Sequence, residues 1–247
     1  ILKREEPIVQ ELANEYLTEQ GITILNDVTL NSVSNDGNKP VITANGQNYT
    51  FDAVLYATGR KPNTANIGLE NTDITTNERG AIVVNDTCES SVPGVYAVGD
   101  VNGGPHFTYI SLDDFRIVFG ALTGNGQYTL KDRKNIPYTT FLTPPLARVG
   151  LTEEDAINKG YTVKTKEMLV ATMPRAHVND YLKGAFKIVV NAENNLILGA
   201  TLYSQSAEEL INLIKMAMDN NIPYTYFKNQ IFTHPTMAEN LNDLCNF

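Results

Sequence analysis

The stretch from Val163 to Asp219 constrains the fold more than any other part of the chain. Val163–Leu169, Ala185–Val190 and Leu196–Tyr203 read as three strands, the first two joined by Met173–Lys183. Ala207–Asp219 then carries Leu210, Ile211, Leu213, Ile214 and Met218 at helical spacing. A helix with one apolar face has to bury it, and the strands before it supply a sheet, so the pattern predicts an αβ sandwich. Thr143-Pro144-Pro145 ahead of it reads as a rigid hinge. A helix is expected over Thr152–Lys159, with Thr152 as N-cap and Glu153, Glu154 and Asp155 in the first turn, where carboxylates suit the helix dipole.

The earlier part is patterned differently. Ile8, Val9, Leu12, Ala13, Tyr16 and Leu17 predict a helix over Pro7–Gln20, which Gly21 stops. A short strand is expected at Ile22–Leu25. Val28–Val33, Val41–Ala44 and Gln47–Phe51 form strands joined by turns at Asn35–Lys39 and Gly46. Asp52–Ala57 is continuously apolar, the pattern of a strand covered on both faces. This is the closing half of an α/β unit, without the first strand and Gly-rich phosphate turn of an opening half.

Three places carry candidate chemistry. Gly59 follows the apolar segment in Ala57–Asn63, where a glycine lets backbone approach a ligand or else makes a tight turn. Gly94–Asp100 reads as a strand ending in Gly99-Asp100. Asp100 is then an acceptor for a hydroxyl-bearing ligand, or a helix cap. Thr108 stands eight residues later, at the head of a helix striped by Ile117, Val118, Ala121 and Leu122, whose N-terminus presents partial positive charge. His234, Pro235 and Thr236 precede Glu239. An imidazole exchanges protons near neutral pH, and a carboxylate on its second nitrogen fixes the tautomer. The alternative is that His234 ends a loop and Glu239 completes a capping box with Thr236 on a helix beginning at Met237.

The 247 residues carry a formal net charge of −9 with no basic block, which disfavours nucleic acid or an anionic membrane surface as partner. No apolar run is long enough to span a membrane. Cys88 and Cys245 are isolated, with no CxxC or Cys/His pairing to suggest zinc, so no metal site is expected and a reducing, cytoplasmic setting is. Ile1 is not an initiator methionine and LKREEP reads as the flank of a helix, so the chain is expected to be cut at its front end.

ATGRKPN, TCESSVPGVYAVGDV with Thr108, TPPLARVGLTEEDA and HPTMAE occur in the order found in the pyridine nucleotide-disulfide oxidoreductases. The chain resembles that flavoprotein family, of glutathione reductase, dihydrolipoamide dehydrogenase and mercuric reductase type, over essentially its whole length. FTYISLDDFRIV and the NLNDL ending look most like its RclA subgroup, the reactive-chlorine-resistance flavoproteins, for which a metal-ion reductase activity is known. The resemblance implies an α/β and α+β chain: the C-terminal part of a flavoprotein with two dinucleotide-binding domains, plus an αβ interface domain. Residues 1–58 would be a remnant of the NAD(P)-binding domain, 59–135 the C-terminal part of the FAD-binding domain, and 136–247 the interface domain of a homodimer. It implies FAD and NAD(P)H as cofactors, with Gly99 and Asp100 at the ribityl hydroxyls, Thr108 on the flavin ring side and Gly59 against the nicotinamide nucleotide. His234 would be the acid–base that reaches the partner subunit's redox disulfide, oriented by Glu239. Met168, Met173, Met216, Met218, Tyr224, Tyr226 and Phe227 are expected as core and dimer contacts, and Arg175 and His177 as solvated loop residues.

The family's Gly-rich FAD fingerprint and Cys-x4-Cys pair do not occur in this sequence. The chain is therefore expected to be a fragment of an enzyme that reduces a disulfide or a metal ion, binding FAD weakly or not at all by itself and without turnover. The alternative is a free-standing dimerisation module without catalysis. Four ordered motifs argue against a third reading, an unrelated α/β binding protein.

Overall fold

A computed structural model describes all 247 residues, which form two compact units: Ile1–Val28 with Asn135–Phe247, and Thr29–Lys134. The chain opens on α1 (Pro7–Glu19), which belongs to the first of these units. Proline at its first turn has no N–H to leave unpaired, and Val9, Ala13 and Tyr16 make the buried stripe. No helix is long and apolar enough to cross a membrane.

The second unit begins with an antiparallel meander of β1 (Leu30–Asn35), β2 (Pro40–Ala44) and β3 (Gln47–Thr50). Asn45 and Gly46, both at positive φ, turn β2 into β3, as a tight hairpin requires. Four segments of strand composition form no strand, among them the expected Ile22–Leu25, Asp52–Ala57 and Gly94–Asp100. Ile22–Leu25 and Asp52–Ala57 are irregular and largely exposed, Leu55 at 89%. Neither has a neighbouring strand, and without one the backbone of an extended segment has no ladder partners. Ala81–Val84 and Gly94–Gly99 contribute only isolated bridges, Thr76 to Ile82 and Glu89 to Tyr96, before a 3-10 turn at Gly99–Asn102. The expected helix follows as α2 (Thr108–Thr123), with Ile110, Asp114 and Ile117 on its buried side.

The first unit resumes in a five-stranded antiparallel sheet of β4 (Tyr138–Thr140), β5 (Leu146–Gly150), β6 (Val163–Leu169), β7 (Ala185–Asn191) and β8 (Ile197–Tyr203). Its order is β4-β5-β8-β7-β6, so β8 is central with β5 and β7 beside it, and every residue of β7 is buried. The Thr143–Pro144 peptide before β5 is cis. Between β5 and β6 lies α3 (Glu153–Asn158), whose N-cap Thr152 forms the reciprocal capping box with Asp155. Arg175 and His177, read as loop residues, belong to a short helix, α4 (Pro174–Val178), and His177 Nε2 lies 2.8 Å from Ala171 O.

Register decides which side chains share a face. Ala147, Leu202 and Phe186 are directly opposed across three strands, as are Leu146, Tyr203 and Ala185 one residue along, on the other face. The first set, with Ile188, Val190 and Ala200, buries the apolar stripe of α5 (Ala207–Asp219), chiefly Leu210, Ile211 and Ile214. Each such side chain stabilises by about 1.5–3 kcal/mol. Met173, Tyr224 and Phe227 join this core as expected, whereas Met216 and Tyr226 are exposed. The opposite face receives α1, through Val9, Ala13 and Tyr16 against Leu146 and Tyr203. The chain closes with α6 (Tyr224–Asn229) and α7 (Asn240–Leu244), and Leu241 and Leu244 complete the core under the sheet.

Candidate active site

The segment between α6 and α7 carries His234, joined to Pro235 by a cis peptide. His234 Nδ1 lies 2.7 Å from Glu239 Oε2, while the other oxygen, Oε1, accepts the Thr236 N–H at 2.9 Å. The Thr236 hydroxyl accepts the Glu239 N–H at 3.2 Å and donates to Thr233 O at 2.8 Å. The expected capping box is therefore present, but the helix behind it starts at Asn240 rather than Met237. The turn at Met237–Glu239 occupies the interval. Capping and orientation, posed as alternatives by the sequence, are both performed by Glu239, one oxygen each. Partial burial pushes the Glu239 carboxyl up, but the Thr236 N–H and the His234 ring outweigh it and hold it below its ordinary range. His234 itself is 68% exposed, so its ring edge away from the carboxylate is open to an incoming group.

α7 fixes this segment from behind. The Asn242 amide donates to Phe227 O at 2.6 Å and Gln230 O at 2.9 Å, and the Asn240 amide to Thr236 O and Met237 O. Lys166 on β6 donates to Asp243 O and Asn246 O, both at 2.7 Å, satisfying carbonyls at the end of α7.

In the other unit, Gly99 (φ +75°) opens the 3-10 turn that presents Asp100. A Cβ at Gly99 would lie 2.7 Å from Ser111 Oγ, so only glycine allows α2 to pack this closely. The Gly99 N–H donates to Asp114 Oδ2 at 2.7 Å, and Asn102 Nδ2 donates to the same oxygen at 2.9 Å. Asp114 is fully buried, and its other oxygen takes the Arg133 guanidinium, whose Nε lies 2.8 Å from Asp113 Oδ2. Sequence reasoning missed this hub. The signal was a carboxylate between Ile110 and Ile117 on the buried stripe of α2, four residues after one and three before the other.

The Asp100 side chain is 47% exposed, with Arg60 Nη1 at 3.5 Å from its Oδ2. Gly59 (φ +110°) precedes that arginine and has nothing within 4 Å of its missing Cβ. Thr108 is the exposed first residue of α2. The structure thus brings the Gly59-Arg60 pair beside Asp100 and sets Thr108 on the helix that holds the Asp100 turn. His234 and Glu239 stand together in the first unit.

Neither cysteine is placed to react. Both are buried, and burial pushes the Cys88 thiol up to about 11 and the Cys245 thiol up to about 12.

Residues 136–245 match the family described as "Pyridine nucleotide-disulphide oxidoreductase, dimerisation domain", and residues 1–114 match "Pyridine nucleotide-disulphide oxidoreductase". The chain is 42% identical over 243 residues to the "Probable pyridine nucleotide-disulfide oxidoreductase RclA" of Escherichia coli (strain K12), covering 98% of this chain and 55% of that protein. It is 35% identical over 245 residues to a mercuric reductase of Staphylococcus aureus, covering 98% of this chain and 45% of the relative. A solved structure, "HOCl-induced flavoprotein disulfide reductase RclA from Escherichia coli", superposes with a TM-score of 0.94 at 41% identity, covering 99% of this chain and 56% of that one. The chain thus spans about half the length of these relatives. It belongs to the pyridine nucleotide-disulphide oxidoreductase family.

Proposed function

We propose that this chain is the C-terminal part of an FAD-dependent NAD(P)H oxidoreductase that reduces a disulfide or a metal ion through a thiol pair lying outside it. The observation that carries the reading is the 2.7 Å contact of His234 Nδ1 with Glu239 on a histidine that is otherwise open. A ring held by its Nδ1 exchanges its proton at Nε2, in a fixed orientation. His234 is then the acid–base serving the thiol pair of the partner subunit in a homodimer, and Glu239 orients it. The domain reading follows the family: 1–58 from the NAD(P)-binding domain, 59–135 from the FAD-binding domain and 136–247 for the interface.

The residues present fit a flavin nucleotide. Asp100 is half exposed, and its ionic partner Arg60 is itself solvent-facing, so its oxygens are open to ligand hydroxyls. Gly99 and Asp100 would hold the ribityl chain, Thr108 would stand on the ring side, and Gly59 would lie against the nicotinamide nucleotide. The flavin, when bound, supplies two-electron transfer between the nicotinamide and the thiols. This chain's residues position it and move the proton at His234 Nε2.

Replacing His234 by Ala in the intact enzyme tests the reading. Thiol-linked turnover is expected to fall by about 10²–10⁴-fold, the usual contribution of a positioned acid–base, with flavin reduction by NAD(P)H unchanged. Unchanged turnover would defeat it. The second reading, a dimerisation module without catalysis, draws support from the complete core of the unit that holds His234. It requires that no redox thiols ever meet this histidine.

A further inference from the structure

We propose that Thr236 is a positioning residue, which assigns the two oxygens of Glu239 to different tasks and thereby fixes the tautomer of His234. A free carboxylate can turn about its last bond and offer either oxygen, or neither, to an exposed imidazole. Glu239 cannot, because Oε1 is occupied by the Thr236 N–H at 2.9 Å, which leaves Oε2 facing His234 Nδ1 at 2.7 Å. The clamp is reciprocal. Thr236 Oγ1 accepts the Glu239 N–H at 3.2 Å, and its own proton goes to Thr233 O at 2.8 Å, the residue before the histidine. One hydroxyl therefore ties the backbone on both sides of His234-Pro235, and one N–H sets the carboxylate. The Asn240 amide holds Thr236 O at 3.2 Å from the other side, so the residue cannot rotate to release Glu239.

The consequence is chemical. A carboxylate fixed on Nδ1 keeps the proton of the neutral ring on that nitrogen and leaves Nε2 as the bare base. The role of that base in turnover rests on the function proposed above, but the tautomer does not.

Nitrogen-15 spectra of the imidazoles in the full chain, with the His234 signal assigned by its loss in His234→Gln, read the tautomer directly. Neutral His234 is expected to be protonated on Nδ1. Thr236→Val keeps the shape and the backbone N–H but removes the hydroxyl that ties Thr233 O and the Glu239 N–H, so the segment no longer holds that N–H on Oε1. The Nδ1–H form is then expected to give way to Nε2–H, as in Glu239→Gln, and Thr236→Ser is expected to restore it. A folded Thr236→Val chain that keeps the Nδ1–H form overturns the proposal. Should that variant not fold, the unaltered chain still decides: the Thr236 amide proton must shift as the Glu239 carboxyl takes up its proton, below the ordinary carboxylate range, and a constant shift overturns the proposal equally. The half-reaction rates of His234→Ala test the functional reading independently, so the two can fail separately.

Discussion

Lys187 Nζ lies 3.0 Å from Glu6 Oε2, and both side chains are almost wholly withdrawn from solvent. The lysine is on β7, beside the central strand of the sheet, and the glutamate stands immediately before α1, so this contact joins the start of the chain to its far half. Glu153 at 2.7 Å and Glu167 at 2.9 Å complete a cage of three carboxylates around one ammonium, and Glu6 Oε1 also accepts the Glu153 N–H. Arg148 and Glu5 form a second ion pair at 3.6 Å beside it, with Arg148 over the Tyr138 ring.

Lys187→Met removes the only charge that balances those carboxylates. The expected cost is about 3–5 kcal/mol, the usual loss when one partner leaves a buried pair, seen as a lower urea midpoint. The pH dependence follows from the same cage. Burial alone would lower the ammonium's pKa, but hydrogen bonds to Glu153, Glu167 and Glu6 overcome it and raise the value well above the ordinary range. The stabilisation is thus fully present below the unfolded lysine value of about 10.4, and is lost as pH rises from there through the folded value. Midpoints measured from pH 8 to 11 should fall more steeply for the unaltered chain than for Lys187→Met above about pH 10.

Asp114→Ala strands the Gly99 N–H, Asn102 and the Arg133 guanidinium together. A loss of about 3–5 kcal/mol is expected within Thr29–Lys134, read by hydrogen exchange of the Gly99 amide. Gly99→Ala should act at the same place, through its positive φ and the clash with Ser111, and cost about 1–3 kcal/mol.

Both thiols should resist alkylation at pH 8 in the folded chain. With Cys245 pushed up to about 12, its thiolate fraction at pH 8 is on the order of 10³-fold below that of an open cysteine, and burial slows it further. Full labelling by iodoacetamide should require denaturant. Rapid labelling of either cysteine in the native chain would contradict its placement.

Acid should loosen the His234 segment late. The Glu239 carboxyl is held below its ordinary value, so its bonds to Thr236 and His234 are present above the unfolded value of about 4.3 and vanish as pH falls through the lower folded one. Amide signals of Thr236 and Asn240 followed down in pH should keep their native positions past the point where exposed glutamates have titrated.

The elements that local patterning can specify were legible in the sequence. Ala207–Asp219 forms the helix its periodicity predicts, Val163–Leu169 is a strand to the residue, and Thr152 caps its helix with the acidic turn behind it. Asp52–Ala57 and Gly94–Gly99 have strand composition but no strand beside them, and composition does not supply a partner. The His234–Glu239 pair lies within five residues and could be read from spacing. The division of labour between the two oxygens of Glu239 could not, because it depends on the Thr236 N–H meeting Oε1 in the folded segment. Asp114 reads as an ordinary helix-surface acid until its neighbours on the buried stripe are counted. The Lys187 cage joins Glu6, Glu153 and Glu167 from three separate parts of the chain, so no local pattern announces it.

The seating of α1 on the sheet of β5 and β8 also has a consequence for assembly. Tyr16 accepts the Gly184 N–H and Glu6 reaches Lys187, so the first unit closes only when the two ends of the chain meet, with all of Thr29–Lys134 looped out between them. Closing a loop of roughly a hundred residues costs about 4 kcal/mol of chain entropy before any of these contacts forms, which places their formation late in folding. The same arrangement makes the covalent link through the middle dispensable once folding is over. A single proteolytic cut within Thr29–Lys134 is expected to leave a two-piece complex, still joined through α1, the sheet and the buried lysine.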